Sequence, residues 1–135
     1  MITAASHWIT RGLGRRGTVL LLLGIMYIVT GIGNILTPTK SVPALQLAEG
    51  WAPLVFWGVV FVAVGVCGII SARIPPGRDT WGFALMVGMS LWWSCVYFFG
   101  WVTFDVDRAW TSALQWFFSA ILLTIVAGWP EAEGR

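Results

Sequence analysis

Few side chains in this 135-residue chain belong to types that do chemistry, and their spacing limits what they can do. His7 is the single histidine, so neither paired haem ligation nor a histidine-rich metal site can be assembled. Cys67 lies about five residues from one end of its apolar run, and Cys95 about fifteen from the same end of the next run. At about 1.5 Å per helical residue their depths differ by roughly 15 Å, beyond disulfide reach. Asp105 and Asp107 share a polar stretch with Arg108, but two acids without a third ligand read as solvated loop charges rather than a cation site. The strings "GRRG" and "GIGN" lack the strand and partner residues of a phosphate loop, and no Ser/His/acid or Cys/His set shares one depth. The expectation is a protein that is not an enzyme and carries no cofactor and no metal.

The elements that position these residues are apolar. Hydrophobic residues make up 58% of the chain and charged residues only 10%, with a mean hydropathy of +0.81. A soluble domain carries about a quarter charged residues. A net charge of +2, scattered along the chain, gives no nucleic-acid surface. Four runs reach the roughly 20 apolar residues that a bilayer core requires, at about 17–36, 52–72, 80–100 and 111–128, and none contains Asp, Glu, Lys, Arg or His. The chain therefore reads as all-α, an integral membrane protein with an antiparallel bundle of four transmembrane helices over 17–128. A basic N-terminal segment, 1–16, precedes it and a short tail, 129–135, follows. The first run exceeds a signal peptide's apolar region and no small-x-small cleavage site follows, so it is read as a retained anchor.

Arginine placement sets the expected orientation. Arg11, Arg15, Arg16, Arg73, Arg78 and Arg135 fall on one side, and only Lys40 and Arg108 on the other, so both termini are expected in the cytoplasm. The island "ARIPPGRDTWGF" at 72–83 is then a cytoplasmic turn, with Pro75, Pro76 and Gly77 stopping one helix and Asp79 and Thr80 capping the next. Trp51, Trp101 and Trp110 mark outer helix ends, and Trp8, Trp81 and Trp129 inner ones. Trp57, Trp92, Trp93 and Trp116 lie deeper, where they could face lipid, pack between helices or line a space. In the longest outer connection, 37–50, "PALQLAEG" could form a short interfacial helix.

Gly24 and Gly31, and again Gly58 and Gly65, recur seven apart, while Ala84 and Gly88 form a small-xxx-small pair; these are the candidate helix-packing positions. Asn34, Ser90, Ser94, Gln115, Ser119 and Thr124 could add interhelical hydrogen bonds. "RGT" at 16–18 echoes "RDT" at 78–80, and Trp51 to Trp57 repeats the spacing of Trp110 to Trp116. The echo raises a duplicated helical hairpin.

The strings "GRRGTVLLLLG" (14–24), "PPGRDTWGF" (75–83), "RAW" (108–110) and "AGWPE" (127–131) resemble small four-helix membrane proteins of actinobacteriophages of the Streptomyces phage type. The resemblance implies a protein of the bacterial host's cytoplasmic membrane, and some proteins of this kind are regarded as candidate holins, which oligomerise to release a cell-wall hydrolase. It brings no mapped functional residues. The tail "WPEAEGR" departs from the densely charged cytoplasmic tail of many holins. A holin-like lysis protein is the first expectation, with the lipid bilayer and either further copies or another membrane protein as partners. A non-lytic interaction protein, such as a superinfection-exclusion factor or accessory subunit, is the alternative. Lipid or quinone binding between tryptophan-rich helices is a third.

Overall fold

The computed structural model describes the backbone of residues 2–36, 46–75 and 78–130, and the side chains of 14–36, 48–75 and 78–130. Lys40 and the 37–45 stretch of the long connection, the turn residues Pro76 and Gly77, and the 131–135 tail with Arg135 lie outside the described residues. So do the side chains of His7, Trp8 and Arg11. Among the described residues five helices occur: α1 (Ile2–Leu36), α2 (Gln46–Trp51), α3 (Leu54–Ala72), α4 (Thr80–Phe104) and α5 (Ala109–Ala127). Among the described residues there is no strand.

Among the described residues, four segments are long and apolar enough to cross a membrane: 14–36 of α1, and the whole of α3, α4 and α5. Their outward faces carry side chains such as Leu22, Val29 and Leu122, each more than 60% exposed. A water-soluble protein rarely leaves so continuous an apolar surface uncovered. The chain is a multi-pass membrane protein.

Local chemistry explains the boundaries. Gly14 breaks α1 with φ 68° and ψ 178°, a conformation essentially reserved for glycine, and the Thr18 hydroxyl donates to the Gly14 carbonyl at 2.7 Å as the span begins. Pro53 precedes α3, where a missing N–H costs nothing. The Arg73 and Ile74 amides close the end of α3 on Ile70 and Ser71, and Pro75 forbids continuation. α4 continues past Gly100 to Phe104 because "WVTF" stays apolar, and ends where Asp105 turns left-handed at φ 49°. Arg108, at φ 64°, starts α5. The N-terminal segment, expected only as a basic stretch, is helical from Ile2.

The helices pair as two antiparallel hairpins. In the first, α1 and α3 approach so closely that an added Cβ on Gly24 lies 2.7 Å from the Gly65 carbonyl oxygen, and one on Gly31 lies 2.5 Å from that of Gly58. The contacts are reciprocal, 2.6 Å from Gly65 to the Gly24 oxygen and 2.8 Å from Gly58 to that of Gly31. Seven residues forward on α1 match seven back on α3, so two glycine pairs fix the register. In the second hairpin, α4 lies along α5, and the Ser94 hydroxyl donates to the Ala113 carbonyl at 2.8 Å. The hairpins meet along a seam where α3 touches α4 over a shorter length.

Ala84 and Gly88 are exposed, and nothing lies within 4 Å of an added Cβ at Gly88, so this pair packs against no other helix of the bundle. It sits on the face of α4 that the other three spans leave uncovered.

Candidate functional site

Among the described residues, the buried polar side chains Arg16, Ser71, Asp79 and Ser90 lie on the seam. At the end where Arg15, Arg73 and Arg78 are exposed, the Arg16 guanidinium donates to the Asp79 carboxylate at 2.9 Å. Both are buried, at 9% and 3% exposure, and the guanidinium carbon lies 5.3 Å from the centre of the Phe83 ring. Arg16, at the basic end of the spans, is thus also a seam residue. One expectation is corrected: the Asp79 side chain makes no capping hydrogen bond at the start of α4. A charge-assisted bond outweighs a cap to a backbone amide, and a buried cation needs a counter-charge.

Next along the seam, Ser71 of α3 is 1% exposed and set against Gly82 of α4, where its Oγ occupies the place an added Cβ would take. Gly68 makes room for the Met86 methyl in the same way. At mid-depth the Tyr27 hydroxyl lies 2.8 Å from the Ser90 hydroxyl and 3.4 Å from the Met86 carbonyl, linking α1 to α4. Ser90 and Ser94 bond between helices, whereas Ser119 and Thr124 donate to the carbonyls of Gln115 and Ala120 in their own helix, at 2.9 and 2.8 Å. Both hydroxyls thus satisfy themselves within α5 rather than across to another helix.

One aromatic from each span then closes the centre. Tyr27 stacks on Phe61 with centroids 5.5 Å apart, Phe61 stacks on Trp93 at 5.4 Å, and Trp116 lies 6.0 Å from Phe61, 6.3 Å from Tyr27 and 6.5 Å from Trp93. Such pairs contribute about 0.5–1.5 kcal/mol each beyond area burial. Trp57 stacks on Trp92 at 5.3 Å and donates its indole N–H to the Ala48 carbonyl at 3.0 Å, tying α2 to the bundle. The deep tryptophans therefore pack between helices, with Trp92 at the edge. Trp51, Trp81, Trp101, Trp110 and Trp129 are exposed at helix ends.

Two buried seam groups, Ser71 Oγ and Trp93 Nε1, have no hydrogen-bond partner among the described residues. Each costs about 1–3 kcal/mol relative to a hydrated state. The closed seam therefore combines strong clamps, the ion pair and the aromatic quartet, with groups that favour hydration.

A second feature is a groove of about 550 Å³ between α4 and α5 toward the opposite end. Cys95, Phe98 and Trp101 line one side and Trp110, Leu114 and Phe117 the other, beside the Ser94–Ala113 bond. Both cysteines are free thiols.

Gly24, Gly31, Gly58 and Gly65, at their seven-residue spacing, come together, whereas the Ala84–Gly88 pair does not meet another helix. Tyr27, Ser71, Asp79 and Phe61 were not singled out as seam residues, because each is one polar or aromatic residue in a run that contains others. The signal available was that Arg16 and Asp79 each stand at the start of a span entering from the same side. Comparison of the chain with protein-family models, curated proteins and solved structures finds no match.

Proposed function

We propose that the chain is a holin-like membrane protein of phage type that permeabilises the host's cytoplasmic membrane by self-association, with both termini in the cytoplasm. The arginine distribution supports the orientation, since Arg15, Arg16, Arg73 and Arg78 all lie at one end of the spans. The observation that carries the reading is the convergence of Arg16, Ser71, Asp79, Tyr27 and Ser90 on the seam between two hairpins, while large apolar side chains dominate the outward faces of the spans. A protein of this kind must reside harmlessly in the bilayer and later form a wet lesion. A closed seam gives the first state. Hairpins that swing apart and join those of neighbouring copies turn the same residues toward a lumen and hydrate Ser71 Oγ and Trp93 Nε1.

The glycine-paired first hairpin moves as a unit, and the shorter α3–α4 contact is where opening occurs. The ion pair and aromatic quartet hold one copy closed, so opening depends on accumulation. Controlled expression in a bacterial host, with growth, membrane potential and release of a co-expressed cell-wall hydrolase followed together, tests the reading. Abrupt depolarisation with hydrolase release after a period of normal growth is expected. Normal growth at verified membrane levels contradicts it.

The groove between α4 and α5 favours the second reading, a non-lytic interaction protein that docks another membrane protein there. That reading predicts normal growth in the same experiment and co-purification of a partner through Phe98 and Leu114.

A further inference from the structure

α1 holds a feature that neither the spans nor the seam use. Its first twelve residues, 2–13, form a helix set off from the membrane span by the glycine-only conformation at Gly14, φ 68° and ψ 178°. A helix turns about 100° per residue. On that wheel Ile2, Ala5, Trp8, Ile9 and Leu13 share one face, and Thr3, Ser6, His7, Thr10 and Arg11 share the other. The break falls where the 14–36 span begins, so residues 2–13 need not continue along the axis of that span. Arg11 lies within the segment and exposed Arg15 just beyond it, Arg16 is committed to Asp79, and residues 1–16 contain no acid.

We propose that residues 2–13 are an in-plane amphipathic anchor, whose apolar face enters the bilayer surface and whose basic side binds anionic lipid headgroups. Three observations select a lipid surface as the occupant. The helix is covalently continuous with a membrane span, it divides into apolar and polar faces, and its charge is complementary to acidic phospholipids. The break at Gly14 is the device that makes this possible, since a straight α1 would carry the polar face either into the hydrocarbon or away from the surface. The inference stands apart from the lytic reading, because an in-plane anchor serves a docking protein equally well.

The test uses the full chain with Cys67→Ser and Cys95→Ser, carrying single nitroxide labels at Ala5→Cys or Ile9→Cys on the apolar face and Ser6→Cys or Thr10→Cys on the polar face. It is reconstituted in phosphatidylcholine vesicles with or without phosphatidylglycerol. Labels at 5 and 9 are expected about 5–10 Å below the phosphates, reached by oxygen, while those at 6 and 10 are reached by a water-soluble nickel chelate. Arg11→Gln is expected to lower the docked population about fivefold in anionic vesicles and to leave it unchanged in neutral ones. Gly14→Ala, which cannot hold the break, is expected to bring the four labels to similar accessibility. Should that variant fail to insert, the unmodified break with Arg11→Gln still decides. Equal accessibility at all four positions in the parent chain, whether uniformly wet or uniformly buried, overturns the anchor. Docking that is indifferent to phosphatidylglycerol and to Arg11→Gln overturns the anionic headgroup as its partner.

Discussion

The sharpest stability prediction concerns Gly31. A methyl group added there meets the Gly58 carbonyl oxygen at 2.5 Å, the Val62 Cγ2 at 2.7 Å and the Val62 amide nitrogen at 2.9 Å. Two of these three atoms are backbone, so no rotamer change relieves the overlap and α1 must move away from α3. Overpacking of this kind costs about 1–3 kcal/mol, and the backbone contacts place Gly31→Ala at the upper end. Alanine also gains roughly 1 kcal/mol of helix propensity over glycine. The expected net loss is therefore about 2 kcal/mol, a fall in midpoint on the order of 5–10 °C for a chain of this size. Gly88→Ala is the matched control, because nothing lies within 4 Å of its added Cβ and only the propensity gain applies. It is expected to leave stability unchanged or raised. Thermal unfolding of both variants and the parent in one detergent makes the comparison. A Gly31→Ala protein as stable as the parent, or two variants destabilised alike, would refute the view that close glycine contact fixes the first hairpin.

Three further outcomes follow from the seam and from α2. Asp79→Asn leaves the buried Arg16 charge without its counter-charge and is expected to cost about 3–5 kcal/mol, while Arg16→Gln with Asp79→Asn recovers most of that loss in a double-mutant cycle of unfolding. Additive losses would show that the pair is not coupled. Tyr27→Phe removes the bond to Ser90 and is expected to cost about 0.6 kcal/mol, the average for membrane proteins, with no further cost when Ser90→Ala is added. Trp57→Phe keeps the ring contact with Trp92 but loses the donor to the Ala48 carbonyl, so hydrogen exchange over Gln46–Trp51 is expected to accelerate with little change elsewhere. Unchanged exchange there would mean that α2 is held by something else.

Much of the architecture was legible because the bilayer imposes one requirement, length of apolar helix, and punctuation reports where it ends. The runs at 17–36 and 52–72 needed only minor adjustment, and Pro53, Pro75 and Asp105 stand at real boundaries. The helix before Gly14 was missed because Gly12, Gly14 and paired arginines read as interruptions, whereas a single glycine with positive φ lets one helix end and another begin at once. The fate of polar side chains was harder to read. Ser90 and Ser119 look alike in sequence, yet one bonds to Tyr27 across the seam and the other to a carbonyl of its own helix, which depends on helix rotation about an axis. Arg16 and Asp79 stand 63 residues apart, and only the docking of two hairpins brings them together.

Opening of the seam is what the lytic reading requires. The Arg16–Asp79 pair, at 2.9 Å, holds the seam closed, so Asp79→Asn makes one copy easier to open, and adding Arg16→Gln removes the uncompensated charge again. The measurement is dye release from vesicles loaded with the parent, Asp79→Asn or the double variant at rising protein density. Release is expected at a lower density for Asp79→Asn than for the parent, with the double variant returning toward the parent's threshold. One threshold for all three proteins, or no release from any of them, contradicts an opening seam.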